Sequence, residues 1–167
     1  MCKSSLTINI KQLPASMDKQ LMVDNQTIEI YKTAKYVVLI ENTLCRITVG
    51  KRCSDIDALL LKHNAQVAYF ITPENPFSVI LTSADNTLRH KRFIQELNKA
   101  EYPFYEGYGT NEDETWPKEN SYLIICDDES KMHKLAGRYG QNAFLKVSLR
   151  SSAILLVLDS LNYKAAV

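Results

Sequence analysis

The sequence predicts an α+β fold, with a mixed, mostly antiparallel sheet and helices packed against it. Short runs rich in β-branched and aromatic residues, which are typical of strands, recur along the chain. Between several of them lie stretches with apolar residues at positions i, i+3, i+4 and i+7, the period of a helix. From residue 66 the predicted elements follow the order β-α-β-β-α-β, which is that of a ferredoxin-like core.

The first third of the chain is predicted to add N-terminal strands to this core. Residues 1–25 are weakly patterned, and we interpret them as an N-terminal arm. Strands are predicted at residues 27–33, 36–41 and 44–49. A helix follows, with Ser54 as the expected N-cap.

The core itself is predicted from its buried strands and its two helices. Its strands are expected at residues 66–72, 102–108, 121–126, 143–148 and 152–158. Ser83 is expected to cap a long helix that ends near Lys99, and Asp128 a second helix that ends at Gly140 as C′. Gly107 and Gly109 are expected to open an acidic loop. We therefore predict a single domain over residues 26–158 and a frayed tail over 159–167.

The composition is that of a globular protein without a strong electrostatic field. The 167 residues carry a net charge of +1, so we expect neither nucleic acid nor anionic lipid as a partner. The longest apolar run, residues 153–158, is far too short to cross a membrane. Residues 1–10 lack the continuous apolar stretch of a signal peptide. These features predict a cytoplasmic protein that does not bind membranes.

No standard catalytic or metal-binding motif is present in the sequence. The four cysteines, Cys2, Cys45, Cys53 and Cys126, form no C-x-x-C pair and have no histidine at zinc-finger spacing. The chain also lacks a phosphate-binding loop, a dinucleotide-binding turn and a nucleophile elbow. We therefore expect free thiols in a reducing compartment, no metal and no cofactor.

Polar residues at the ends of predicted strands and helices form the candidate site. Most are uncharged hydrogen-bonding groups, and the set consists of Asn75, Ser78, Asn86, Arg89, Glu119, Ser121 and Gln141. The predicted topology brings the ends of these elements to one end of the sheet. We therefore expect Asn75, Asn86, Glu119, Ser121 and Gln141 to converge although they are distant in sequence.

Three interpretations of this cluster remain open at the level of sequence. Its members could lock loops to strands, since Asn75 starts a good turn and amides satisfy backbone groups. They could instead bind a small molecule or a protein partner without catalysis, because amides suit a neutral ring, an amide or a peptide. In the third interpretation, a small enzyme uses Glu119 as general acid or base and Arg89 to hold an anionic group.

We take non-catalytic binding as the main hypothesis and the enzyme as the alternative. An enzyme would need a deep pocket that holds Glu119 with a raised pKa. A protein partner would need an exposed apolar patch or an open sheet edge, which we expect near Tyr102, Phe104 and Tyr108.

An ordered set of short motifs carries a family resemblance over about residues 31 to 158. The motifs are Tyr31-x-Thr33-x-x-Tyr36, Phe70-Ile71-Thr72, Asn75-Pro76-x-Ser78, Asn86-x-x-Arg89, Gly107-x-Gly109, Trp116-x-x-Glu119-x-Ser121 and Gly140-Gln141-Asn142-Ala143. In this combination the chain resembles the bacterial family called domain of unknown function 3293. The resemblance implies a bacterial source and a compact α/β domain, and it implies nothing about activity or substrate.

Overall fold

The computed structural model describes residues 23–158, which form four α-helices and seven β-strands. The helices are α1 (Asn25–Thr33), α2 (Ser54–Lys62), α3 (Ser83–Lys99) and α4 (Glu129–Arg138). The strands are β1 (Lys35–Ile40), β2 (Thr43–Ile47), β3 (Val67–Ile71), β4 (Phe104–Thr110), β5 (Glu119–Ile125), β6 (Ala143–Ser148) and β7 (Ile154–Val157). A short 3-10 turn, Pro76–Ser78, lies between β3 and α3. This content confirms the predicted α+β class.

All seven strands belong to one curled sheet. Their order is β2-β1-β4-β5-β3-β6-β7, and every neighbouring pair is antiparallel. Beyond the outer strands, Val49 and Ala153 form an isolated parallel bridge. The Gly50 N–H donates to the Ala153 carbonyl at 2.8 Å, and the Ala153 N–H donates to the Lys51 carbonyl at 2.9 Å. Because the two edges meet there, the sheet has an inner and an outer face.

Alternating side chains of the strands divide the core into two clusters. The inner-face cluster joins the strands to α2 and includes Val38, Phe70, Leu123, Ile56 and Leu60. The outer-face cluster joins the strands to α3 and α4 and includes Tyr69, Tyr122, Ile124, Phe93, Leu97, Met132 and Leu135. Every residue of β3 is buried, as its continuous apolar sequence predicts.

The prediction of a strand at residues 27–33 is wrong, because this segment is α1. The Asp24 Oδ1 accepts a hydrogen bond from the Thr27 N–H at 2.7 Å and caps the helix. The β-branched residues of the segment favoured a strand, but tertiary packing overrides this weak preference. Thr27, Ile30, Tyr31 and Ala34 fall at i, i+3, i+4 and i+7, and all four line the cavity described below.

Smaller corrections concern the boundaries of elements. Thr82 is the N-cap of α3 in place of Ser83, and its Oγ1 accepts the Asp85 N–H at 3.1 Å. Cys53 occupies the N-cap of α2 in place of Ser54. Gly107 and Gly109 lie inside β4 instead of opening a loop after it.

The end of α4 and the last two strands agree with the sequence. Asp128 caps α4 by accepting the Lys131 N–H at 3.2 Å. Gly140 follows the helix with φ of +67°, the left-handed conformation expected at C′. Strands β6 and β7 pair as the predicted hairpin.

Several predictions fall at the limits of the described residues. Most of the predicted arm, residues 1–22, and the predicted tail, residues 159–167, lie outside them. Strands β3 to β6 lie side by side in the order β4-β5-β3-β6, and their assignment as a ferredoxin-like core stays a prediction. None of the helices in residues 23–158 has the length and apolar character needed to cross a membrane.

Candidate functional site

A cavity of about 320 Å³ lies on the inner face of the sheet. Aromatic and aliphatic side chains of four strands form its floor, namely Tyr36, Phe70, Leu145 and Leu155. Polar side chains from the loops after β3, β4 and α4 form its walls, and α1 covers it. An apolar cavity with a few convergent polar groups is the usual form of a small-molecule site.

Tyr31 connects the covering helix to the rest of the cavity wall. Its hydroxyl lies 2.6 Å from the Ser78 Oγ, and the Asn142 Nδ2 donates to both oxygens at 3.1 Å. The Tyr36 hydroxyl donates to the Tyr31 carbonyl at 2.7 Å. These contacts fix the orientation of α1, which has no fully buried residue of its own.

The polar wall is organised around Asn75 and Glu119. The Asn75 Nδ2 donates to the Glu119 Oε1 at 2.8 Å, and the Trp116 Nε1 donates to the same oxygen at 2.9 Å. The Asn75 Oδ1 accepts from the Asn86 Nδ2 and from the Leu81 N–H, each at 2.9 Å. Asn75 therefore links the start of β5 to the loop before α3 and to α3 itself.

The loop after β3 carries this wall in an uncommon backbone conformation. Asn75, Phe77 and Ser78 have φ of 45°, 56° and 57°, in the left-handed region that non-glycine residues rarely adopt. The Phe77 N–H donates to the Gly140 carbonyl at 2.7 Å. A Cβ on Gly140 would lie 2.8 Å from the Pro76 Cβ, so glycine there permits both its own positive φ and the close approach of the loop. Strained backbone of this kind is concentrated at functional sites.

Glu119 is the one residue with a formal charge among the described residues that line the cavity. Burial raises the pKa of its carboxyl. The hydrogen bonds from Asn75 and Trp116 lower this pKa, and the nearby Glu74 carboxylate raises it. Both donors reach Oε1, and in residues 23–158 no hydrogen bond to Oε2 is formed. Glu119 thus lines the cavity with one of its two carboxylate oxygens bonded to neighbouring side chains.

The structure brings together most of the side chains predicted to converge. Asn75, Glu119, Ser121 and Gln141 all line the cavity, and so does Ser78, another residue of the candidate site. Glu119 and Ser121 share the inner face because they are two residues apart in β5. The Gln141 Nε2 donates to the Glu74 carbonyl at 2.8 Å and so braces the strained loop. Asn86 does not line the cavity itself, but its side chain forms hydrogen bonds with Asn75, which does.

Arg89 is placed differently from the role assigned to it in the enzyme alternative. It does not line the cavity. Its Nε donates to the Pro73 carbonyl at 2.7 Å, and its Nη2 donates to the Tyr139 carbonyl. The guanidinium lies 5.4 Å from the centre of the Tyr139 ring, and burial lowers its pKa. Arg89 therefore ties the loop after β3 to the end of α4.

Several cavity residues were not among the predicted site residues, although they belong to the motifs that carry the family resemblance. They are Tyr31, Tyr36, Phe70, Trp116 and Asn142. The candidate site was defined by polar and amide side chains, and this criterion leaves out aromatic residues. The helical spacing of Tyr31 with Thr27 and Ala34 was the one sequence signal that could have placed α1 over a cavity.

The surface expected to accept a protein partner is not an open edge. Strand β4 lies between β1 and β5 and is paired on both sides. Tyr102, Phe104 and Tyr108 are all half-buried, and Phe104 packs edge-on against Tyr122.

We expect replacement of Glu119 by glutamine to change how stability depends on pH. A carboxyl whose pKa is raised by folding stabilises the fold while it is protonated, and that contribution is lost as pH rises through the folded-state pKa. Glutamine keeps an oxygen that accepts from Asn75 and Trp116 but cannot ionise. The unfolding midpoint of E119Q, relative to wild type, should therefore rise as the pH increases from the ordinary glutamate pKa, about 4.3, through the raised folded-state pKa. A constant difference across this range, measured by thermal unfolding, would contradict the raised pKa.

Residues 71–144 match the model of a family described as protein of unknown function (DUF3293). The match confirms the family resemblance seen in the sequence motifs, and it spans the segment from the end of β3 to the start of β6. No curated protein and no solved structure gave a match.

Proposed function

Because the description of the matching family gives no activity, we propose a function from the geometry of the cavity: non-catalytic binding of a small molecule with a flat apolar body and an N–H donor. An amide, an amidine or an aromatic amine on a single ring has this chemistry. The proposal retains the expectations of a cytoplasmic protein that binds neither nucleic acid nor membranes.

The observation that carries the proposal is that Glu119, whose Oε2 has no hydrogen-bond donor among residues 23–158, lines a largely apolar cavity. Tyr36 and Phe70 meet edge to face at 5.9 Å between ring centres and offer a floor for a flat ring. At about 320 Å³, the cavity lies at the small end of ligand sites, which span roughly 300–1,000 Å³. A single ring with one polar group suits this volume.

Electrostatics favour a neutral or cationic ligand over an anionic one. Glu119 is the sole formal charge on the described lining, and its ionised form is disfavoured by burial. A ligand N–H that donates to Oε2 would offset part of this desolvation cost, and a cation would offset more of it. A ligand carboxylate would instead repel Glu119.

The enzyme alternative is supported by the direction of the Glu119 pKa shift, since burial raises the pKa of a carboxyl toward the range in which it acts as a general acid or base. Its second requirement, a cation that holds an anionic substrate group, is not met by Arg89, whose donors Nε and Nη2 reach backbone carbonyls. We therefore keep non-catalytic binding as the proposed function.

Three single-ring probes of similar shape and different charge test the proposal: benzamidine, benzamide and benzoate. Each is titrated into the protein while ¹H–¹⁵N spectra are recorded. The chain has one tryptophan, so the Trp116 indole N–H gives a single signal at the wall of the cavity. We expect benzamidine and benzamide to shift this signal and the Asn75 side-chain amide, and benzoate to leave both unchanged.

Two glutamine variants complete the experiment. E119Q should weaken benzamidine binding by more than about tenfold, because a charge-assisted hydrogen bond contributes roughly 1.5–3 kcal/mol. E106Q is the matched control, since Glu106 is exposed in β4 and does not line the cavity. Equal binding of benzoate, or equal loss in both variants, would contradict the proposal. Conversion of a bound probe, abolished in E119Q, would favour the enzyme.

A further inference from the structure

Two cysteines lie in contact in the inner-face core and do not line the cavity of the candidate site. Cys45 points from the edge strand β2 into the inner-face core, and Cys53 is the N-cap of α2. Their Sγ atoms are 3.0 Å apart, which is closer than two sulfur atoms pack in ordinary van der Waals contact. A disulfide bond is roughly 2.05 Å long, so a shift of about 1 Å would join them.

We propose that Cys45 and Cys53 form a reversible disulfide when the protein meets a low-molecular-weight disulfide such as oxidised glutathione. The bond would link the edge of the sheet to the start of α2. Neither cysteine lines the cavity, and the proposal is therefore independent of the proposed function.

The surrounding structure holds the two thiols in this arrangement. Between them, Gly50 and Lys51 are bonded to Ala153 on the other edge of the sheet. The Arg52 Nε donates to the buried Asp57 at 2.5 Å, and the other oxygen of Asp57 accepts the Arg150 N–H at 2.6 Å. The segment that carries Cys53 is thus fixed to the hairpin between β6 and β7.

The two cysteines differ in burial, and this difference indicates which of them reacts first. Cys45 is buried, whereas Cys53 is half-buried and is therefore the more accessible of the two to a small oxidant. Burial, followed by the contact with Cys53, raises the pKa of the Cys45 thiol. Cys53, the more exposed of the two, therefore reacts first, and Cys45 follows from within the fold.

The exchange balances with glutathione disulfide as the oxidant. The Cys53 sulfur attacks one sulfur of glutathione disulfide, breaks its S–S bond and releases one glutathione thiolate. Cys45 then loses its proton and attacks the Cys53 Sγ, which breaks the mixed disulfide and releases the second glutathione thiolate. Two protein thiols are oxidised, one glutathione disulfide is reduced, and the two protons pass to the two glutathione thiolates.

Asp55 lies near both sulfurs, and the three side chains place their ligand atoms within 4.8 Å of one another. Such a set could also hold a zinc ion, but a closed structural zinc site has four protein ligands. The exposed Asp55 and the short distance between the sulfurs favour the disulfide, and zinc is kept as an outcome of the test.

The test uses the full-length chain with Cys2→Ser and Cys126→Ala, which leaves Cys45 and Cys53 as its two cysteines. After incubation with oxidised glutathione and removal of the reagent, the intact mass should fall by two hydrogen atoms, and dithiothreitol should restore it. The unfolding midpoint of the oxidised protein should rise by roughly 5 °C, because the bond closes a short loop. Peptide mapping of the oxidised wild-type chain, which should show a Cys45–Cys53 linkage, provides the same test if the variant does not fold.

Three results would overturn the proposal. The first is a stable glutathione adduct on Cys53 that does not resolve, which would mean that Cys45 cannot reach it. The second is a linkage of either cysteine to Cys2 or Cys126 in the wild-type chain. The third is protection of the pair from oxidation by stoichiometric zinc already present in the purified protein, with loss of that protection in D55N, which would assign the cluster to a metal.

Discussion

Replacement of Gly107 by alanine is expected to lower the free energy of unfolding by about 3 kcal/mol or more, or to prevent folding. Gly107 lies in β4 where this strand passes β1. A Cβ at this position would lie 2.2 Å from the Val37 carbonyl oxygen and 3.0 Å from both the Val38 Cα and the Phe70 Cε2. Strand β1 cannot move away easily, because it is paired with β2 on one side and β4 on the other. The strain would therefore spread through the sheet and into the cavity floor.

Gly109 provides the matched control for this prediction. It lies two residues further along β4 on the same face, but a Cβ there would meet only side-chain atoms at 3.7 Å or more. G109A should unfold with a midpoint close to wild type, in urea and on heating. If G107A had the same midpoint as G109A, the close approach of β1 and β4 would be wrong.

The sequence predicted those elements whose pattern depends on local and buried residues. Helix α3 was found because its apolar stripe ends in Phe93 and Leu97, both fully buried. Strand β3 was found because its residues are apolar on both faces. Helix α1 was missed because it buries no residue fully and packs through one side only. The β-branched residues of this segment therefore indicated a strand, and the N-cap formed by Asp24 was not recognised.

The candidate site could be predicted in outline because polar residues at the ends of elements are visible in a sequence. Asn75 and Glu119 are 44 residues apart, and they meet because β3 and β5 are neighbours in register, with Ile71 opposite Tyr122. No local pattern encodes that register. The structural role of Arg89 could not be inferred either. Its partners are the backbone carbonyls of Pro73 and Tyr139, and a sequence does not distinguish these carbonyls from any others.

Replacement of Asn75 by alanine is expected to lower the free energy of unfolding by roughly 3 kcal/mol, because its side chain makes three hydrogen bonds that hold the cavity wall. Asn75 is only 4 % exposed. Without its amide, the Leu81 N–H and the Asn86 Nδ2 lose their acceptor, and the Glu119 Oε1 keeps Trp116 as its one donor. We expect the Trp116 indole signal to shift and benzamidine binding to fall, since the loop after β3 is no longer tied to β5.

The left-handed backbone at Asn75 separates two contributions to this loss. Its φ is 45° and its ψ is 62°, a conformation that asparagine and glycine adopt more readily than alanine. N75G removes the same hydrogen bonds as N75A but tolerates the backbone, so it should be about 1 kcal/mol more stable than N75A. Urea unfolding of both variants measures the contribution of the hydrogen bonds and the cost of the left-handed backbone separately. If N75G were as stable as wild type, the hydrogen bonds of Asn75 would contribute nothing to the wall, and the left-handed conformation alone would explain why asparagine occupies this position. If both variants kept the wild-type midpoint, the wall would not depend on Asn75 at all, and Glu119 would have to be oriented by Trp116 alone.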